Sequence, residues 1–399
     1  MARQVFAHYM VGLTSTQTPA QWSKEINDAQ AVGIDGFALN IGPNDSWTLT
    51  QLHSAYSAAE AAGFGLFISF DMAVGDWAPQ TVVDLVNTFA PSSAQVRVNG
   101  LPLVSTFEGP AWADNWQGVR DATGGIYLVP DWSSLGPHGV QARLDVIDGH
   151  FAWQAWPWPG ETQKTTEEDL LYMGVLGDKS YMMGVSPWFY TNLPQYNKNW
   201  YFNGDSLWFD RWQQAIDLLP DFVQIITWND FGESSYISDI EPSQIVAGAN
   251  PYIDGFSHAA FRSVLPYFIA AYKAGSRDVA PPTPPQAIAY YRTTPLRAGP
   301  DGGTICGQSG RMSAVECSGD VVSVITVTVD ATEIVVQVGA RNETFGTAGG
   351  ASFFSVPFGA DTGGEVALYM DGRSVVGPAI TNAVPATGYV NFNALAIGL

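Results

Sequence analysis

Asp230 and Glu233 stand three residues apart in Trp228-Asn229-Asp230-Phe231-Gly232-Glu233, directly behind the apolar run 222–227. A β-branched and aromatic run of that kind reads as a strand buried on both faces, and acids at the C-terminal exit of such a strand sit where a (β/α)8 barrel carries its chemistry. Asp71 holds the same position behind the run 65–70. Two carboxyls are what glycosidic hydrolysis needs, one to donate a proton and one to act as base, and indole rings seat the apolar face of a sugar. The acids also suit a blander role. Asp230 as N-cap with Glu233 three positions on would make a capping box, and Asp71 would serve as an ordinary loop residue.

The elements that must position these acids follow from the pattern of apolar runs. Strand runs fall at 5–10, 36–39, 65–70, 103–107, 125–129, 146–151, 181–185 and 222–227. Helical stretches at 19–31, 49–62, 80–89, 112–121, 166–174, 207–218 and 256–272 alternate with them. Eight such units over about 270 residues is the rhythm of a closed parallel barrel. An open doubly wound sheet is the alternative, but no Gly-rich phosphate turn follows the first strand. The strand ends then gather His8 and Tyr9, Asn40, Asp71, Glu108, Asp131 and Trp132, Trp153 to Trp158, Trp188, and Trp228 to Glu233. Acids and amides fork onto hydroxyl pairs, and the cluster Trp153-Gln154-Ala155-Trp156-Pro157-Trp158 reads as a sugar-stacking wall. His8 equally suits a satisfied core position.

All 14 tryptophans precede Pro281. The stretch Pro281-Pro282-Thr283-Pro284-Pro285 reads as a stiff linker, and the short alternating runs behind it, such as 321–329 and 334–338, read as strands of a sandwich. A barrel over 1–280 and a β-sandwich-like domain over 281–399 are expected.

Composition excludes several classes. A net charge of -21 disfavours nucleic acid and anionic membrane surfaces as partners, and no apolar run is long enough to span a membrane. With five histidines and no Cys/His ligand spacing, no metal site is expected. Neither a phosphate-binding loop nor a Gly-x-Ser-x-Gly elbow is present. Cys306 and Cys317 are the two cysteines and are expected to form a local disulfide. With the sequons at Asn44 and Asn342 they lean towards secretion. Met1-Ala2-Arg3 runs almost directly into the first strand, so the start reads as that of a processed chain with an added Met.

The segments 5–12, 36–40 and 69–72 and the run Thr227-Trp228-Asn229-Asp230-Phe231-Gly232-Glu233-Ser234 resemble glycoside hydrolase family 71, the α-1,3-glucanases or mutanases found mainly in fungi. The resemblance runs along the whole first domain in order. It implies hydrolysis of α-1,3-glucan with inversion, with the essential acids carried onto Asp71, Asp230 and Glu233. No cofactor is implied, and a monomer is expected. Three extended residues span at most roughly 10–11 Å, which allows the roughly 6.5–9.5 Å carboxyl separation of an inverting pair. On the sequence, Glu233 is assigned as acid, Asp230 as base, and Asp71 as the group that holds the water or sugar hydroxyls; Asp71 and Asp230 are interchangeable in that scheme. Two other readings stay open, a glycosidase of another glucan linkage and a non-catalytic carbohydrate-binding protein. The second would be expected to lack an essential acid, and all three are present.

Overall fold

A computed structural model describes residues 2–359 and 363–399. Met1, read above as an added residue, lies outside the described residues. The chain divides into two compact units. Among the described residues, the first is built from 2–155, Thr165–Val185 and Leu219–Trp228, and the second from Trp156–Lys164, Ser186–Leu218, 229–359 and 363–399.

The first unit is organised by a curled, largely parallel sheet. Its strands are β1 (Gln4–Met10), β2 (Gly36–Ile41), β3 (Gly65–Asp71), β4 (Leu101–Phe107), β5 (Tyr127–Leu128), β6 (Gly149–Ala152), β7 (Ser180–Val185) and β8 (Phe222–Ile225). They pair in the order β5-β4-β3-β2-β1-β8-β7-β6, with the short strand Arg97–Val98 antiparallel to β4. Every residue of β2 and β7 is buried, as expected of a parallel sheet covered on both faces. The fifth strand is shorter than the run 125–129 predicts. Pro130 has no N–H to give the ladder, so regular pairing stops there. Asp131 then makes single parallel bridges to both Phe107 and Phe151, and its N–H reaches the Thr106 carbonyl at 3.0 Å.

Helices cover the outside of this sheet. Pro19–Ala31 begins with a capping box between Thr18 and Gln21 and turns Trp22, Ile26 and Ala29 inward. Thr48–Ala62 ends on Gly63 at φ +66°, a left-handed stop that glycine adopts without strain.

In the second unit, Leu207–Leu218 is helical as expected, whereas the helix expected over 256–272 is displaced. A 3₁₀ segment, Ala259–Val264, comes first, and the α-helix is Leu265–Ala274 with Pro266 in its first turn. A three-stranded sheet of Phe189–Leu193, Lys198–Phe202 and Ile305–Cys306 was not anticipated from the sequence. Two four-stranded antiparallel sheets follow Pro281. One runs Gly350–Pro357, Val321–Thr328, Gln286–Tyr291, Leu395–Gly398; the other runs Arg341–Gly346, Glu333–Val338, Gly364–Met370, Arg373–Ile380. Their inward residues, among them Val322, Val324, Ile334, Val336 and Leu368, share one core, which is the layered packing of a sandwich. Cys306 and Cys317 are disulfide-bonded.

Candidate active site

In the second unit, Asn229 to Ser234 forms a tight turn and not the start of a helix. Asp230 Oδ1 accepts the Glu233 N–H at 2.9 Å, which is half of the capping arrangement weighed above. The other half is absent, because the Glu233 carboxylate is engaged by Lys198, with Nζ 2.6 Å from Oε1. Three further contacts fix the turn. The Tyr190 N–H donates to the Glu233 carbonyl at 3.0 Å, the Tyr252 hydroxyl donates to the Gly232 carbonyl at 2.8 Å, and Asn229 Nδ2 donates to Gln244 at 2.8 Å. Asn229 is therefore a buried strut of the turn, with no exposed surface.

Burial, and after it the Glu233 carboxyl, push the Asp230 carboxyl up to about 7; Lys198 and the N–H groups of Glu233 and Gly232 oppose the rise. A carboxyl that keeps its proton near neutrality, with a second carboxyl paired to an ammonium in the same turn, is an arrangement able to give and to take a proton.

The first unit holds the other candidates. Asp71 closes β3, is 8% exposed, and accepts the Ala73 N–H at 3.0 Å. Trp77 Nε1 donates to the Asp71 carbonyl at 2.8 Å. Asn40 is buried near the end of β2, in register with Met10 and Ser69. His8 is buried, shares a 3.0 Å hydrogen bond between Nδ1 and Gln224 Nε2, and meets Trp153 edge-on at 4.9 Å. Burial lowers its pKa to about 3, so it is neutral. Glu108 accepts the Ser134 N–H at 3.1 Å and the Ser134 hydroxyl.

Asp131 is fully buried. Its Oδ1 takes both the Ser133 N–H, at 3.0 Å, and the Ser133 hydroxyl. Burial first and Glu108 second push it up to about 7. Ser133 Oγ in turn accepts the Trp153 N–H at 2.9 Å. His150 stacks on Tyr172 at 4.5 Å nearby. Among the described residues Asp131 Oδ2, His150 Nδ1, Tyr172 Oη and Gln154 Oε1 are buried without a hydrogen-bond partner.

Several expected binding residues are placed elsewhere. Tyr9 follows His8 on the strand and so faces the other way: its ring packs on Trp22 at 4.6 Å and its hydroxyl bonds Gln17 and Glu25. It belongs to the contact between sheet and helix. Trp132 and Trp228 have no exposed surface, and Trp228 packs on Phe37. Trp188 gives its indole N–H to the Phe392 carbonyl at 2.9 Å, and Trp156 stacks on Phe202. Of the Trp153–Trp158 wall, Trp153 is half-buried and Trp158 is 53% exposed. Lys198, Ser133, His150 and Tyr172 were missed by sequence reasoning. Of these, Lys198 had no legible signal, because its partner lies 35 positions away. Among the described residues no group of three or more His, Cys, Asp or Glu is arranged to hold a metal, and no helix is long and apolar enough to cross a membrane.

The sequence profile described as glycosyl hydrolase family 71 matches residues 1–398. A glucan endo-1,3-alpha-glucosidase of Schizosaccharomyces pombe is 33% identical over 98% of this chain and 93% of its own length. A mutanase of Penicillium rubens is 36% identical over 73% of this chain, and the match spans 66% of that protein. An ascus wall endo-1,3-alpha-glucanase of S. pombe is 35% identical over 68% of this chain and 66% of its own length. Among solved structures, a GH99 endo-alpha-mannosidase from Bacteroides thetaiotaomicron superposes with a TM-score of 0.53 at 13% identity, covering 68% of this chain and 98% of that one. That likeness concerns the fold alone.

Proposed function

The chain belongs to glycosyl hydrolase family 71, and from that premise we propose that it is an endo-acting hydrolase of α-1,3-glucan that inverts the anomeric centre, with Asp230 as acid and Glu233 as base. The observation that carries the chemistry is the Asp230–Glu233 turn with Lys198 bound to Glu233 at 2.6 Å. The linkage rests on kinship with proteins named for α-1,3-glucan.

Inversion requires one carboxyl to protonate the leaving oxygen while the other draws a proton from a water attacking the opposite face. Asp230, pushed up to about 7, retains its proton in mildly acid solution. Glu233, ion-paired to Lys198, is a carboxylate able to receive one. This division is the reverse of the one assigned from sequence. Asp71 keeps the third role, holding water or sugar hydroxyls, by family resemblance. Glu108 and Trp153 supply a carboxylate and a half-buried ring for the polysaccharide.

The curled sheet is read as a closed (β/α)8 barrel, supported by the two bridges of Asp131. The segment 281–399 is read as an accessory sandwich domain. An extracellular or cell-wall location fits the disulfide and the exposed sequon residues Asn44 and Asn342.

Product release from α-1,3-glucan beside α-1,4- and β-1,3-glucans, with the first anomer followed by NMR, tests the reading. Activity confined to α-1,3-glucan with the β-anomer first is expected. An α-anomer would mean a retaining nucleophile, and no release from any of the three would favour the binding-protein reading.

A further inference from the structure

Trp158 differs from every other tryptophan of the chain: it is 53% exposed, whereas the rest are buried or half-buried. An indole left in water forgoes the large burial gain that puts most tryptophans inside. The loop that carries it is braced, not slack. Pro157 and Pro159 flank the indole, and the Glu161 N–H closes a turn on the Trp158 carbonyl at 2.9 Å. The Gly160 N–H donates to Cys306 Sγ at 3.4 Å, so the loop rests on the Cys306–Cys317 disulfide. Pro159 lies so close to Gly307 that a Cβ there would meet its Cγ at 2.7 Å. At the far end Gln214 Nε2 holds the Lys164 carbonyl at 2.6 Å, and the Lys164 ammonium sits 5.8 Å from the indole centroid.

We propose that Trp158 is a sugar-stacking platform for a glucosyl unit of a long glucan chain, and that the disulfide loop is its brace. The assignment rests on the polysaccharide-hydrolase reading above. A pyranose presents a face of C–H groups that seats on an indole, and fixing the ring beforehand removes the ordering cost of binding. The exposed neighbours Glu161, Thr162 and Gln163 are polar. Their side chains are of the kinds that hydrogen-bond sugar hydroxyls.

The test uses the full chain with Trp158→Ala and, to guard against misfolding, Trp158→Phe. Partition onto insoluble α-1,3-glucan and turnover of soluble α-1,3-oligosaccharides are measured side by side. Trp158→Ala is expected to weaken partition and raise KM for long oligosaccharides about tenfold with kcat changed less than about twofold, and Trp158→Phe to restore most of the loss. The Cys306→Ser/Cys317→Ser pair should raise KM in the same direction; an unchanged KM there would overturn the brace. Equal partition of Trp158→Ala and wild type would overturn the platform, as would a fall in kcat that tracks the rise in KM. So would conversion of a wild-type dimer to a monomer in size-exclusion chromatography, which would assign the ring to an interface between copies. Failure of the wild type to cleave any α-1,3-oligosaccharide would sink the functional reading instead, while the partition comparison still decides the platform.

Discussion

Asp131 and Asp230 are both carboxyls pushed up to about 7, by burial first and a neighbouring glutamate second. Their surroundings differ. Asp230 is part-exposed, and its neighbour Glu233 is held by Lys198. Asp131 has no exposed surface, gives Oδ1 to Ser133, and leaves Oδ2 without a partner among the described residues. A raised pKa therefore does not by itself identify a proton donor. A donor also needs a path for the proton and a second carboxyl to act as base; Asp230, the proposed donor, is part-exposed and has Glu233 beside it. Asp131 reads as a positioning residue, because the serine it holds accepts the backbone N–H of Trp153.

The contrast breaks most sharply at the acids. Asp230→Asn and Glu233→Gln should each lower glucan hydrolysis by about 10³-fold or more with the thermal transition retained, since each keeps shape and removes ionisation. Turnover left within tenfold of wild type would remove that residue from its role. Lys198→Met comes next. It should cost about tenfold in kcat/KM and shift the alkaline limb of the pH profile to higher pH, because the ammonium that opposes protonation of Asp230 is gone. An alkaline limb that stays in place would show that Asp230 does not set it.

The third test concerns stability. A carboxyl raised from its ordinary value to about 7 binds its proton more tightly when folded, so its contribution is full below about pH 4 and is lost as pH rises towards 7. For Asp131 the loss is at most about 4 kcal/mol. Asp131→Asn should flatten the stability curve between those limits in urea titrations, and an unchanged slope would contradict the buried proton. The smallest effect belongs to Tyr9→Phe, which should cost about 1 kcal/mol of stability by urea midpoint through loss of its bonds to Gln17 and Glu25.

Much of the first unit was legible because its strands are continuous apolar runs, and following such runs to their ends leads to Asp71 in that unit and to Asp230 at the start of the next. Faces were harder to read. Tyr9 was assigned to the site beside His8, yet a one-residue step along a strand changes the face. The indoles Trp132, Trp156, Trp188 and Trp228 were assigned to sugar from residue type and position at strand ends, and an indole at a strand end fits a core equally well. The sheet that carries Lys198 was only partly open to sequence reading: Lys198 pairs locally with Leu193 in a hairpin, but the third strand, Ile305–Cys306, lies over 100 residues away. The lysine paired to Glu233 is thus supplied by tertiary structure, and the turn's own sequence carries no sign of it.

The most direct measurement compares Asp230→Asn and Glu233→Gln on an α-glucosyl fluoride donor, whose leaving group departs without protonation. If Asp230 is the acid, its variant should turn over the fluoride at a rate within about tenfold of wild type while remaining inactive on glucan, and Glu233→Gln should fail on both. The opposite pattern, with fluoride turnover kept by Glu233→Gln and lost by Asp230→Asn, would contradict the assignment and restore Glu233 as the proton donor.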